Sequence, residues 1–220
     1  MSLHAGFLAA PTSSDALLAE LKRHSGNYVI GEPLPKPFVI QDGPEAKRWN
    51  LALGQHDGKA YLFDPEDLFA SDPDLVVAIS EPLGLVVGGF VGASLGIGSF
   101  TLARSGELVR HLRFDRDGMS EDFTLGDPLA TEDEQPLDDG SGSGLYAAFA
   151  LVGLPLEPWL EHGPAVGLTF TEERWPPGGP IGLASEEHAD RYETAHGRAV
   201  RAQMEQQILA WVNRRPAGGR

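Results

Sequence analysis

Residues 82–103, PLGLVVGGFVGASLGIGSFTLA, form a run of 22 residues without a charged side chain. The run is long enough to cross a membrane as a helix, and Gly84, Gly88, Gly92 and Gly96 recur every four residues, as in closely packed membrane helices. It contains six glycines, however, and each glycine inside a helix costs about 1 kcal/mol relative to alanine. We therefore predict two buried strands, GLVVGGFV and GSFTLA, joined by a tight glycine-rich connection.

The segments around this run carry turn signals typical of an antiparallel sheet. The Asp57-Gly58 pair separates RWNLALG from KAYLFD, and Ser105 and Gly106 separate two further apolar runs. Such pairs favour the tight turns of β-hairpins. The segment AVGLTF, at 165–170, is a further strand candidate.

Helical signals lie towards the two ends of the chain. Ser14, as the N-cap, precedes leucines at helical spacing and Gly26 follows them, which predicts a short amphipathic helix. A longer helix is predicted to begin at Ser185 and to end in a pair of arginines. Asp64 and Asp72 each precede a proline and are candidate caps for one or two further helical turns.

These signals together predict an α+β fold, in which an antiparallel β-sheet from about residues 28–114 is flanked by an N-terminal and a long C-terminal helix. The chain has 220 residues, enough for one sizeable domain, and we interpret residues 1–220 as a single domain. From about 126–144 we predict an acidic, Gly/Ser-rich internal loop, because this segment is too polar to form a packed element.

Composition narrows the classes of partner. The chain has 32 acidic residues against 17 lysines and arginines, a formal net charge of −15. Because this charge repels phosphate and anionic lipid and attracts basic proteins, we expect no nucleic-acid and no membrane partner. The chain has no cysteine, and its N-terminal apolar run AGFLAA has no preceding lysine or arginine of the kind a secretory signal carries. These features predict a cytoplasmic protein.

Two segments approach the spacing of metal-binding motifs. DRDGMSED has Met119 where an EF-hand requires a ligand, and ETAH pairs Glu193 with His196 but lacks the second such pair of a di-iron bundle. We therefore expect neither a metal nor another cofactor.

GASLG, at 92–96, matches the G-x-S-x-G pattern of a nucleophile elbow. The longer segment LVVGGFVGASLG resembles the strand, elbow and helix of the α/β-hydrolase family, over about a dozen residues. The resemblance implies that Ser94 is a nucleophile, followed in the chain by an acid and a histidine. The residues that would complete such a triad are Asp127 or Glu157 with His162, His188 or His196.

The residues after Ser94 depart from that family's pattern. An elbow begins a helix, whereas GIGSFTLARSGELV contains Gly96, Gly98 and Gly106 and ends in a turn signal. We therefore favour no catalytic residue and keep a serine hydrolase, using Ser94 and His162, as the alternative.

The acidic loop supports the preferred hypothesis. Small, acidic, cysteine-free and without a catalytic constellation, the chain is similar in general character to bacterial immunity proteins that neutralise toxins. We predict a non-catalytic protein that binds a basic protein, such as a toxin or an enzyme, and leave its oligomeric state open. The predicted contacts are four acids and two tryptophans taken to be exposed: Asp133, Glu134, Asp138, Asp139, Trp159 and Trp175. A small-molecule sensor, with a pocket between the sheet and the C-terminal helix, is a third possibility.

Overall fold

The computed structural model describes residues 4–38, 40, 49–67, 69–93, 96–115, 123–130, 132 and 142–171. The strands in these ranges are β1 (His4–Ala10), β2 (Asn27–Leu34), β3 (Leu51–His56), β4 (Lys59–Asp64), β5 (Leu85–Gly92), β6 (Ile97–Arg104), β7 (Glu107–Asp115), β8 (Phe123–Leu125) and β9 (Ala165–Thr171). The helices that lie wholly within these ranges are α1 (Ser14–Ser25), α2 (Pro73–Leu83), α3 (Ser143–Leu151) and α4 (Glu157–His162). The strands form one antiparallel sheet in the order β2-β9-β3-β4-β1-β5-β6-β7-β8.

The predicted α+β fold, with a sheet flanked by an N-terminal and a long C-terminal helix, is wrong. The described chain is mostly sheet, its helices α1 to α4 have only 6 to 12 residues, and it begins with β1 rather than with a helix. The sheet also includes β1 and β8, which lie outside 28–114, while β9 confirms the strand predicted at 165–170. The predicted C-terminal helix falls on residues outside the described ranges.

The sequence analysis did not predict the strand β1, and the reason is physical. This strand lies between β4 and β5 in the middle of the sheet, and Phe7 and Leu8, which point to opposite faces, are both fully buried. A strand buried on both faces has no alternation of polar and apolar residues, so AGFLAA carried no period that would have identified it.

Helices cover both faces of the sheet. Phe7 and Ala9 belong to the core formed with α3 and α4, which we call the α3/α4 face. Leu8 and Ala10 belong to the core formed with α1 and α2, the α1/α2 face. The described residues therefore form three layers, with two hydrophobic cores separated by the sheet.

Both predicted hairpins are confirmed. Asp57 and Gly58, between β3 and β4, have φ values of 48° and 73°, and Ser105 and Gly106, between β6 and β7, have 51° and 82°. Two consecutive left-handed residues are typical of the turns that match the twist of a hairpin.

The helix caps are confirmed in part. The side chain of Ser13, rather than the predicted Ser14, accepts a hydrogen bond from the amide of Ala16 and so caps α1. Asp72 caps α2, as predicted, because its carboxylate accepts hydrogen bonds from the amides of Asp74 and Leu75.

The uncharged run forms the β5–β6 hairpin, and its two predicted strands are confirmed. A Cβ atom on Gly88 would lie 2.6 Å from both the carbonyl oxygen of Ala70 and Cγ2 of Val76, on the α1/α2 face. On Gly89 it would lie 2.6 Å from Cδ1 of Leu145, in α3. These two glycines therefore allow the segment before α2 and helix α3 to approach the sheet from opposite sides. Among the described helices, none is long and apolar enough to cross a membrane.

We expect Gly88→Ala to lower the free energy of unfolding by about 2 kcal/mol or more, because the new methyl overlaps a backbone carbonyl that cannot move alone. Urea unfolding measures this change. The control is Gly58→Ala in the β3–β4 turn, which adds the same methyl where no contact lies within 4 Å and leaves only the strain of φ +73°, at a cost of about 1 kcal/mol. Equal losses in the two variants would contradict the packing role of Gly88.

Candidate functional site

Most of the predicted binding residues fall outside the described ranges. These residues are Asp133, Glu134, Asp138, Asp139 and Trp175. Ser94, His188 and His196, which the alternative hypothesis uses, also lie outside them. The structure does describe the residues on either side of 133–141, which we call the acidic segment.

The acidic segment begins next to a buried ion pair between Arg110 and Glu132. Arg110 lies on β7 opposite Leu102, on the α3/α4 face, and its side chain is 3% exposed. Its Nε donates to Oε1 of Glu132 over 3.0 Å, and its Nη2 donates to Oε2. A bidentate arginine–carboxylate pair of this kind fixes both position and orientation.

Arg110 also holds the chain that leads from β8 to Glu132. Its Nη1 donates to the carbonyl oxygens of Leu125 and Gly126, over 3.2 and 2.8 Å. Glu132 in turn accepts a hydrogen bond of 2.8 Å from the amide of Leu129. One guanidinium therefore connects β7, the end of β8 and the residue that directly precedes the acidic segment.

The other end of the acidic segment is fixed by α3. Gly142 precedes this helix with φ 86°, a left-handed conformation that favours glycine. Leu145 and Phe149 of α3 are buried in the core, and the ring of Phe149 packs edge-on against Phe100 at 6.2 Å. The nine residues 133–141 therefore connect two points that are both held against the sheet.

Trp159 does not lie on the surface, and the expectation that it is exposed is wrong. It is 0% exposed in α4, and its ring stacks on Tyr61 with centroids 5.2 Å apart. Its indole nitrogen donates to the carbonyl oxygen of Pro164 over 3.3 Å. The ring lies against Gly54, where a side chain would overlap it, so a glycine on β3 makes room for this tryptophan.

The described part of the chain departs in one respect from what the resemblance to the α/β-hydrolase family implies. The strand β5 leads through 93–96 into the strand β6, whereas the resemblance implies a helix after the elbow. His162 is the last residue of α4, with a side chain that is 78% exposed and lies 3.5 Å from Glu161. Asp127 and Glu157 are exposed in separate parts of the chain.

A second polar cluster, which the sequence analysis only partly identified, lies between β4 and α2. Three aspartates there accept backbone amide hydrogen bonds: Asp64 from Phe69 and Ala70, Asp67 from Ser71, and Asp72 from Asp74 and Leu75. In the aspartate-rich sequence DPEDLFASDPD, Asp64 and Asp72 were predicted as helix caps. The sequence did not indicate that three aspartates would bond to backbone amides of the same turn.

Burial raises the pKa of Asp67 to about 7, and the neighbouring carboxylate of Asp64 contributes in the same direction. Burial likewise raises the pKa of Asp72 to about 7, with Asp74 adding to the rise. In the part of the chain that the structure describes, no three histidine, aspartate or glutamate side chains are placed to hold a metal ion. The backbone hydrogen bonds that these aspartates accept stabilise the turn and the start of α2.

His111 is a further buried titratable residue, and it lies within the sheet. Its Nδ1 lies 2.9 Å from Oγ1 of Thr101, directly across the β6–β7 pair. Burial, together with the positive charge of Arg113, lowers its pKa to about 4. The imidazole is therefore neutral at pH 7 and is enclosed within the sheet's α1/α2 face.

Comparison with known proteins gives no match to any family model, to any curated protein or to any solved structure.

We expect Glu132→Ala to lower the free energy of unfolding by about 2–3 kcal/mol, because it leaves the buried charge of Arg110 without its carboxylate. Urea unfolding provides the measurement. The matched control is the double variant Glu132→Ala with Arg110→Met, which also removes the buried charge and should be less destabilised than Glu132→Ala alone. A loss below about 0.5 kcal/mol in Glu132→Ala would show that the pair does not hold the chain.

We also expect the free energy of unfolding of Asp72→Asn to depend on pH differently from that of the wild type. Between about pH 4 and 7 the folded protein keeps a proton on Asp72 that the unfolded chain has lost, so this residue makes the free energy of unfolding fall as the pH rises. Asparagine preserves the helix cap and removes the titration. Relative to the wild type, the variant should therefore gain about 2 kcal/mol between pH 5 and pH 8, measured by urea unfolding at each pH.

His111→Gln should change the pH dependence of stability in the opposite direction. Between about pH 4 and 6.5 the unfolded chain binds a proton on His111 that the folded protein excludes, so this residue makes stability rise with pH. The replacement of His111 should reduce that rise, and urea unfolding of the variant at each pH measures the change.

For Asp72→Asn, a free energy of unfolding that changes with pH in parallel with that of the wild type would contradict the raised pKa of Asp72.

Proposed function

We propose that this chain is a non-catalytic binding protein of the immunity or antitoxin type, which acts in the cytoplasm and engages a basic protein through the acidic segment. The proposed contacts are Asp133, Glu134, Asp138 and Asp139. The single observation that supports this proposal best is the fixing of both ends of the segment, by the Arg110–Glu132 pair and by α3.

Fixed ends favour binding for an entropic reason. A segment whose ends are held against the sheet has fewer conformations to lose when it binds than a free tail of the same length. The four acids are also contributed by a chain whose net charge is −15, so the long-range field steers a basic partner towards the molecule.

The position of Arg110 also preserves the charge of the segment. A buried guanidinium that is already paired with Glu132, Leu125 and Gly126 is not available to neutralise the acids that follow. Glu132 thus serves as the internal partner of the arginine, and Arg110 does not require the four acids of the proposed contact. This division of roles supports a protein-binding function for the segment.

We expect a variant with Asp133, Asp138 and Asp139 changed to asparagine and Glu134 changed to glutamine to bind its basic partner at least ten times more weakly, about 1.4 kcal/mol. The partner is first recovered with the immobilised full chain from its native lysate, identified by mass spectrometry and purified. Affinity is then measured by calorimetry at low and at moderate salt, because the loss should be larger at low salt.

The control changes four exposed acids elsewhere on the molecule to glutamine: Glu66, Glu81, Glu107 and Glu161. It alters the net charge by the same amount, so an equal loss of affinity would point to overall charge rather than to the acidic segment. Recovery of no basic partner would count against the proposal. So would labelling by a fluorophosphonate probe that disappears in Ser94→Ala, since this would indicate a serine hydrolase.

A further inference from the structure

We propose that the outer face of α3, formed by Ala147, Ala150 and Leu151, is the apolar half of the binding site whose charged half is the acidic segment. It binds an amphipathic segment of the same basic partner, in which apolar side chains are flanked by lysine or arginine. This inference deepens the function proposed above and rests on it for the charge of the partner.

The helix α3 is apolar on two opposite sides. Its inner side carries Leu145, Ala148 and Phe149 at the i, i+3, i+4 spacing of one helix face, and all three are buried. Leu145 lies next to Gly89 of β5, and Phe149 packs on Phe100 of β6. The outer face repeats the same spacing on the opposite side of the helix. Surface helices normally carry polar residues there, so an apolar outer face indicates a contact with another molecule.

The outer face of α3 is open to solvent. Leu151 is 46% exposed, Ala150 is also exposed and Ala147 is half-buried. The helices α1 and α2, by contrast, expose charged side chains such as Lys22 and Glu81. Exposed apolar surface that is rimmed by charge is typical of protein-binding sites.

Covalent continuity places the acids of the proposed contact near this face. Asp138 and Asp139 precede Gly142 by four and three residues. Because an extended chain spans at most about 3.6 Å per residue, both lie within about 14 Å of Gly142 along any path. The helix that follows has nine residues and is about 14 Å long. One partner surface of ordinary size, about 800 Å², can therefore contact both the acids and the outer face.

Charge decides which partner this surface suits. A second copy of the chain would bring another net charge of −15, and its own acidic segment, to the same place. Like charges across an interface disfavour association, whereas lysines or arginines beside an apolar centre complement the acids. The uncharged stretch from 140–156 then supplies apolar contact without a competing charge of its own.

The probe is a blocked peptide of about 14 residues, with leucine at the positions of one helix face and lysine elsewhere, titrated into the full chain by calorimetry. One matched peptide replaces leucine with serine, and another replaces lysine with glutamate. We expect saturable binding of the leucine–lysine peptide and affinity at least ten times lower for both matched peptides. Hydrogen exchange of amides in 147–152 should slow when the leucine–lysine peptide is bound.

The protein variant Ala150→Gln with Leu151→Gln changes two exposed positions to a good helix former and preserves the net charge. It should bind the leucine–lysine peptide at least five times more weakly, at low and at moderate salt alike, because apolar contact is what it loses. The variant with the four neutralised acids should also bind more weakly, but its loss should shrink as salt is added. The control is Val29→Gln, which should leave affinity unaltered because Val29 is 53% exposed on β2, five strand spacings from β5.

Four results would overturn the proposal. These are no saturable binding of the leucine–lysine peptide, equal binding to the wild type and the Ala150/Leu151 variant, protection confined to amides outside α3, and a wild-type dimer in sedimentation that this variant loses. Equal binding to the Ala150/Leu151 variant, with weaker binding to the four-acid variant, would leave the proposed function standing. The reverse pattern would contradict the acidic site and support the apolar face.

Discussion

The double burial of β1 is the constraint on which the rest of the structure depends. This strand pairs with β4 on one side and with β5 on the other, and so joins β2, β9, β3 and β4 to β5, β6, β7 and β8 in one sheet. Because Phe7 and Leu8 are both buried, each face of the sheet needs its own cover, which α3 and α4 supply on one side and α1 and α2 on the other. The close approach of these covers explains why Gly88 and Gly89, in the neighbouring strand, have no room for side chains.

How much of this fold the sequence predicts depends on how local each signal is. The turns at Asp57-Gly58 and Ser105-Gly106 were predicted correctly, because two residues are enough to specify a hairpin turn. The position of β9 between β2 and β3 was not, since it depends on pairing between residues far apart in the chain, such as Leu51 and Leu168. The burial of Trp159 was missed for the same reason: the space for its ring is provided by Gly54, on a strand that precedes it by many residues.

The candidate site, too, was predicted from the sequence only in part. The acidic segment was evident from composition alone, whereas no sequence signal singled out Arg110, which holds its first end. In ELVRHLRFD a plain alternation would place Leu108 and Arg110 on the same face. The irregularity between Leu102 and Ala103 changes the register, so that Leu108 packs on the α1/α2 face and Arg110 turns to the α3/α4 face. A bulge of this kind leaves no local mark that a single sequence reveals.

The two ends of the sheet differ in what the described residues expose. The described part of β8 has three residues, and the chain after it is held by a charged side chain within the protein. At β2 the sheet ends in a longer strand whose exposed side chains at Val29 and Ile30 are apolar. Because the proposed contacts next to β8 are charged, we expect the affinity of the proposed acidic site for its partner to depend strongly on salt.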